Sequence, residues 1–125
     1  MALAIPAAGT YAFEFHVYFT TNAATVGLRL GVNGPAQSGL RWGVLLGAAA
    51  PSGAGSALIH SGAGAAYNAE AIAATAGPGA VGDIAIVTGT VVATAAGTLQ
   101  LLHGSETASA TTILAGSWGR LTQIS

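Results

Sequence analysis

Ionisable side chains are the groups from which acid–base, nucleophilic and metal chemistry is built, and this 125-residue sequence has few of them. It contains three Lys or Arg, four Asp or Glu and three His residues. They lie far apart along the chain, as Glu14, His16, Arg29, Arg41, His60, Glu70, Asp83, His103, Glu106 and Arg120. The sequence therefore predicts no catalytic residues, and we expect a protein that is not an enzyme.

Metal and cofactor sites are not predicted either. The histidines His16, His60 and His103 have no partner at metal-binding spacing, and the absence of cysteine removes thiolate ligands, thiol catalysis and disulfides. Three copies of one histidine on a symmetry axis would be the alternative route to a metal site. No serine lies in a nucleophile elbow, and no glycine pair precedes the lysine of a phosphate loop.

The overall charge is low and nearly balanced. Charged residues make up 6% of the chain, against roughly 25% in ordinary soluble domains, and the net charge is −1. Nucleic acids and anionic membranes need a positive patch that this chain lacks, so neither is expected as a partner. No apolar run of about 18 residues or basic leader indicates a membrane span or export, so we expect synthesis in the cytoplasm without export. So few charges would have to keep a largely neutral surface in solution, which favours self-association over a monomer.

Several of the ionisable residues lie in segments that alternate between apolar and polar residues, as β-strands do. Residues 11–20 alternate between an apolar face and a polar face, and residues 25–33 do the same after a short polar connection. The two segments are predicted to form a hairpin in which Thr20 faces Thr25 and each apolar residue meets an apolar partner. This register places Glu14, His16 and Arg29 in one polar cluster, where the arginine keeps the glutamate ionised and its role is structural.

Further strands are predicted at 40–46, 84–94, 98–103, 111–114 and 118–124, with 84–94 and 98–103 forming a second hairpin. The segment 48–56 is typical of a loop, 57–60 of a short strand broken by Gly62-Ala63-Gly64, and 67–75 of a strand or extended loop. About eight strands joined by glycine-rich turns predict an all-β, single-domain jelly-roll β-sandwich over residues 1–125, preceded by an N-terminal arm at 1–10. The predicted core is Phe13, Phe15, Val17, Leu28, Leu30, Trp42, Val44, Ile84 and Ile86.

The two tryptophans have two possible roles. Trp42 and Trp118 each fall in an alternating strand, where packing in a core or an interface is the usual role. Stacking against a sugar, as in lectins, is the alternative.

Several segments together resemble the trimeric jelly-roll domains of the C1q/TNF-like type in tailed-bacteriophage virion proteins, such as head decoration proteins and tail-fibre or baseplate tips. The similarity covers both ends of the chain and skips the region from Ala48 to Gly82. The matching segments are Tyr11-Ala12-Phe13-Glu14-Phe15, Thr25-Val26-Gly27-Leu28-Arg29-Leu30, Asn33-Gly34-Pro35-Ala36, Gly89-Thr90-Val91-Val92, Ala96-Gly97-Thr98-Leu99 and Thr112-Ile113-Leu114-Ala115-Gly116-Ser117.

This resemblance, together with the low charge, implies a homotrimer with Tyr18, Trp118 and Leu121 at its interface. It also implies a virion structural protein whose partner is the major capsid protein and whose place is the capsid surface. The short arm before the first strand favours a free-standing capsid decoration subunit. A tail-fibre or baseplate tip, or a lectin-like receptor-binding module, is the alternative.

Overall fold

Strands account for nearly all regular structure of the chain. The computed structural model describes residues 1–23, 25–48, 58–73, 80, 82–105 and 107–125, and these residues contain no α-helix. They form ten strands, two more than the predicted eight. The strands are β1 (Ala2–Ile5), β2 (Gly9–Thr21), β3 (Leu28–Asn33), β4 (Gln37–Ala48), β5 (Leu58–Gly64), β6 (Glu70–Ala73), β7 (Asp83–Ala93), β8 (Gly97–Ser105), β9 (Thr111–Ile113) and β10 (Trp118–Gln123).

The predicted alternation of buried and outward-facing residues is confirmed along β2 and β4. In β2 every second side chain from Tyr11 to Phe19 is buried, and in β4 the same holds from Leu40 to Leu46. Successive side chains of a strand point to opposite faces, so each of these strands has one face in the core and one face outward. The single charged residue of β4, Arg41, lies on the outward face as predicted.

The ten strands form two antiparallel sheets. One sheet has the order β1-β8-β3-β6, and the other has the order β10-β2-β7-β4-β5 with β9 also paired to β2. Four of the pairs are β1 with β8, β2 with β7, β3 with β6 and β4 with β5, so strand n pairs with strand 9 − n. Pairing of β3 with β8, of β4 with β7, and of both β9 and β10 with β2 completes the two sheets.

One hydrophobic core joins the two sheets. The six-stranded sheet contributes Phe15, Val17 and Trp42, and the four-stranded sheet contributes Leu28 and Leu30. All five residues belong to the predicted core, as do the equally buried Phe13 and Val44. Two antiparallel sheets around a shared core are an arrangement compatible with a β-sandwich.

The predicted hairpin between residues 11–20 and 25–33 is wrong. The neighbours of β2 are β7, β9 and β10, whereas β3 lies in the other sheet between β8 and β6. The apolar faces of β2 and β3 meet across the core instead of side by side in one sheet. Alternation identifies which face of a strand is buried. It does not specify whether the next strand in sequence lies beside it in the same sheet or opposite it in the other sheet.

The second predicted hairpin is wrong for the same reason, because β7 and β8 also belong to different sheets. The buried face of β7 was assigned incorrectly as well. Ile84 and Ile86 are only partly buried, whereas Ala85 and Val87 are buried. Apolar residues occupy both faces of this strand, so its pattern alone does not identify the inner face.

In the glycine-rich middle of the chain, β5 runs from Leu58 to Gly64. Gly62-Ala63-Gly64 is therefore part of the strand, where a break was expected. A Cβ atom at Gly64 would lie 2.5 Å from the Trp42 indole, which explains the glycine by packing rather than by a turn. The ambiguous stretch 67–75 includes the short strand β6. The predicted loop at 48–56 lies outside the described residues except for Ala48, the last residue of β4.

Both ends of the chain are part of the sheets. Residues 1–10, expected as an arm, contain β1 and the first two residues of β2. The predicted strands near the carboxyl end are confirmed as β9 and β10, which both pair with β2. Beyond β10, the backbone N–H of Thr10 donates to the carbonyl of Ser125 at 2.6 Å, and the N–H of Ile124 donates to the carbonyl of Thr10 at 2.8 Å.

Candidate functional site

The outer surface of the six-stranded sheet, here called the six-strand face, has an apolar row running across its strands. Trp118 of β10 pairs with His16, His16 with Ile86, and Ile86 with Leu45 of β4. The residues beside them in sequence, such as Val17, Val87 and Leu46, are buried. Because successive residues of a strand face opposite ways, the whole row points away from the core.

Most of the large hydrophobic side chains that are exposed belong to this face. Leu45 is 54% exposed, Trp118 43% and Tyr18 39%, and Val92 and Leu114 are similarly exposed on or beside the face. The other two such residues, Met1 and Ile124, lie near the chain ends. Among the described side chains, none of this kind lies on the outer surface of the four-stranded sheet. A contiguous exposed apolar surface is typical of an interaction site.

A polar cluster adjoins the aromatic end of the row. Arg120 Nη2 lies 3.0 Å from Glu14 Oε1, and His16 Nε2 lies 3.9 Å from Glu14 Oε2. The rings of His16 and Trp118 are stacked, with centroids 4.0 Å apart and planes 10° from parallel. The stack and the ion pair hold the side chains of Trp118 and Arg120 in place at the edge of the sheet.

The predicted cluster of Glu14, His16 and Arg29 therefore needs one correction. Arg29 lies in the four-stranded sheet and pairs with Glu70, with Nη1 and Oε1 3.2 Å apart. Its predicted position depended on the hairpin that does not form. Arg120, which pairing of β10 with β2 brings opposite Glu14, takes its place.

Of the predicted interface residues, Tyr18 and Trp118 lie together on the six-strand face, but Leu121 does not. Leu121 pairs with Phe13 and packs against the core. Residues 118 and 121 are an odd number of positions apart in one strand, so they face opposite ways. The same rule, applied to β4, identifies Leu45 as outward-facing from sequence, whereas Ile86 lies in a strand that is apolar on both faces and gives no such signal. Of the two tryptophans, Trp42 is buried and only Trp118 is available to a partner.

A shallow depression, here called the trough, lies at the opposite side of the six-strand face from Trp118. It has a volume of about 490 Å³ between β4, β5 and β7. Its outward side chains are Arg41, Ala63, Ala65, Thr88 and Thr90, and most of them are small. The Arg41 guanidinium donates to the carbonyl of Leu40 at 2.8 Å and makes no ion pair with any described residue.

The remaining titratable groups are engaged locally or lie apart. Asp83 accepts a hydrogen bond from the backbone N–H of Ile84 at 2.7 Å, and His103 lines a small cleft on the four-stranded sheet with Arg29 and Glu70. His60 lies in β5, and its side chain is outside the described part of the structure. Among the described residues no three His, Asp or Glu side chains converge as metal ligands.

Burial raises the pKa of the Tyr67 hydroxyl above its ordinary value of 10.0. This hydroxyl is shielded from solvent and has no hydrogen-bond partner among the described residues. Tyr67 packs against the core between β5 and β6, so the effect belongs to the junction of the two sheets and not to the six-strand face.

None of the described segments forms a helix long and apolar enough to cross a membrane. No family model, curated protein or solved structure matches the chain.

Proposed function

We propose that this chain is a non-enzymatic structural protein of a tailed-bacteriophage virion, which assembles as a homotrimer and decorates the capsid surface. The observation that carries the proposal is the six-strand face, where exposed aromatic and aliphatic residues are concentrated on one side of the molecule. The resemblance to trimeric virion domains supplies the setting, and the scarcity of charged residues agrees with a surface that is covered in the assembly.

The assignment to the jelly-roll class is supported by the pairing of strand n with strand 9 − n in the first eight strands. This pattern arises when one long antiparallel hairpin of eight strands wraps into two facing sheets, which is how a jelly roll is built. In this proposal β9 and β10 are additions that widen the sheet used for assembly.

Self-association through the six-strand face is supported by its size. Five strands about 4.8 Å apart, with lengths of 6–13 residues, span on the order of 800 Å². A standard protein–protein interface buries about 800 Å² on each partner. The face therefore has the area that a stable contact between copies needs, and Tyr18 and Trp118 are residue types that dominate such contacts.

A structural rather than catalytic role is supported by the ion pairing of Glu14, the carboxylate described on the six-strand face. Glu14 is held by Arg120, with Nη2 and Oε1 3.0 Å apart, so this carboxylate is engaged in an ion pair on the face. The other described carboxylates, Asp83 and Glu70, are engaged elsewhere. Among the described side chains of the face, none pairs a nucleophile with a base.

Binding to capsids that lack this protein tests the proposal. We expect purified protein to bind them at symmetric surface positions, in a fixed ratio to the major capsid protein, and to raise their resistance to heat or low salt. Failure to bind the capsid under these conditions would contradict the decoration role.

A tail-fibre or baseplate tip, or a lectin-like receptor-binding module, is the second candidate. The observation that favours it is the exposed indole of Trp118 beside Glu14 and Arg120, because an aromatic surface next to charged hydrogen-bonding groups suits a sugar ring. In the same experiment, adsorption to host cells without capsid binding would support this candidate.

A further inference from the structure

Along one row of the six-strand face the outward side chains become smaller from β10 to β5. In this row Arg120 pairs with Glu14, Glu14 with Thr88, Thr88 with Gly43 and Gly43 with Ala63. Trp118 and Tyr18 lie at the β10 and β2 side of the face, and the trough lies at the other end of this row. Along this row the face is therefore raised at β10 and β2 and recessed at Gly43 and Ala63, whereas Leu45 in the next row of β4 is exposed.

We propose that the raised end of one copy, here called the ridge and formed by Tyr18, Trp118 and Arg120, packs into the trough of a second copy of this chain. The inference rests on the self-association proposed above and specifies which surfaces meet. Contact of two different patches, ridge and trough, closes into a ring when the rotation between copies permits it.

The ridge is already ordered for binding. Trp118 is stacked on His16, and Arg120 is paired with Glu14, so neither large side chain is free of contacts before association. Ordering a flexible side chain costs about 0.5–1.5 kcal/mol on binding. Groups held in place beforehand avoid much of that cost.

The floor of the trough is closely packed. A Cβ atom at Gly89 would clash with the carbonyl oxygen of Arg41 and the Phe13 ring, and one at Gly64 would lie 2.5 Å from the Trp42 indole. The trough is therefore an open surface depression of about 490 Å³ that does not continue into the core.

Charge and distance favour a second copy as the occupant. Arg41 at the trough makes no ion pair with any described residue, and Glu14, which lies beside the ridge as the ion-pair partner of Arg120, is a carboxylate that a second copy can bring to it. Within one chain β10 and β5 lie at opposite edges of the sheet, four strand spacings or about 19 Å apart. The ridge therefore cannot reach the trough of its own chain.

Because the chain contains no cysteine, introduced thiols can map this contact. Thr122→Cys labels the ridge side without removing Trp118, Ala63→Cys labels the trough, and Gln100→Cys on the four-stranded sheet is the control. With a short bis-maleimide, a mixture of the first two variants should give cross-linked pairs, and neither variant alone should. A chain with both Thr122→Cys and Ala63→Cys should give covalent trimers.

Two substitutions test the fit itself. Trp118→Ala should raise the dissociation constant about 30-fold or more, as for a central aromatic contact residue. Ala63→Leu should weaken association by filling the trough, whereas Gln100→Leu, an added apolar side chain on the other sheet, should not. Circular dichroism verifies that all three variants remain folded.

The possible failures are distinguishable. A trimeric mass without cross-linking between positions 122 and 63, or with links only between two copies of Thr122→Cys, would overturn the ridge-and-trough contact and leave the homotrimer in place. A monomeric mass at micromolar concentration would overturn the homotrimer itself. Protection of Trp118 by a sugar or by the capsid protein alone would assign the ridge to that partner and overturn the inference.

Discussion

The two outer surfaces of this molecule are built on the same principle and differ in what they present. Each is formed by the outward residues of alternating strands whose inward residues share one core. The six-strand face presents Tyr18, Leu45 and Trp118, whereas the outer surface of the four-stranded sheet presents mainly small and polar residues around the pair of Arg29 and Glu70, with Leu102 partly buried beside them.

This difference separates the residues that specify the fold from those that specify assembly. Inward residues are large and apolar in both sheets, as the core requires. Outward residues are not needed for the core. Their large exposed hydrophobic side chains are concentrated on the six-strand face, which supports our proposal that copies of the chain associate through it.

The largest expected effect comes from placing a charge in the middle of that face. Leu45→Glu should convert the assembly to monomers, because a carboxylate buried without a partner costs about 3–5 kcal/mol, which weakens association at least about a hundredfold. Leu45 is half exposed in the single chain, so folding should be preserved. Sedimentation velocity measures the shift. Gln100→Glu on the other sheet is the matched control, and equal dissociation of both variants would remove the distinction between the two surfaces.

Opposite faces of β2 should respond differently when stability is measured in a Leu45→Glu monomer. Phe15→Ala should lower the free energy of unfolding by about 3–5 kcal/mol through loss of packing in the core. Tyr18→Ala, three positions along the same strand, should lower it by much less because Tyr18 faces outward. Urea denaturation gives both values, and similar losses would show that the two faces are wrongly assigned.

Alkaline pH should lower the stability of the fold at the junction of the sheets, through Tyr67. Because burial raises the pKa of Tyr67, the unfolded chain loses this proton first as the pH rises through about 10, and the folded state loses stability there. Below that pH the hydroxyl is protonated in both states and has no such effect.

Tyr67→Phe should remove this part of the decline in stability. Because the substitution deletes a buried hydroxyl that has no partner among the described residues, stability at pH 7 should be unchanged or higher by up to about 1–3 kcal/mol. Thermal unfolding from pH 7 to 11 compares the two proteins, and identical pH profiles would contradict the assignment.

The smallest expected effects concern the two ion pairs. Glu14→Gln and Glu70→Gln should each change the stability of the monomer by less than about 1 kcal/mol, because both pairs are partly exposed to solvent. In the assembling protein only Glu14→Gln should weaken association, since Glu70 lies on the surface that stays uncovered. Titration by light scattering separates the two, and an equal effect on association would contradict the ridge-and-trough contact.

The sequence predicted most strands and the inner faces of β2, β3 and β4, because alternation over several residues leaves one choice of buried face. It did not predict which strands pair. Partners such as β2 and β7 are separated by most of the chain, and the short connections from β2 to β3 and from β7 to β8 cross between sheets where hairpins were expected.

The candidate site was predicted in part for the same reason. Glu14, His16 and Tyr18 share the outward face of β2 as expected, since this depends on alternation within one strand, whereas Trp118 joins them through pairing of β10 with β2. The position predicted for Arg29 was wrong because it depended on pairing of β2 with β3. Leu121 is three positions from Trp118 in the same strand, so it faces the core and not the six-strand face. The trough depends on the side-by-side placement of β4, β5 and β7, which no local pattern specifies.

Sedimentation equilibrium of the unmodified protein at micromolar concentration tests most directly whether the six-strand face joins copies of this chain. Burial of this face in a closed assembly of three predicts a mass of about 36 kDa, three times the 12.0 kDa of the chain. A mass of 12.0 kDa across the same concentration range would contradict it.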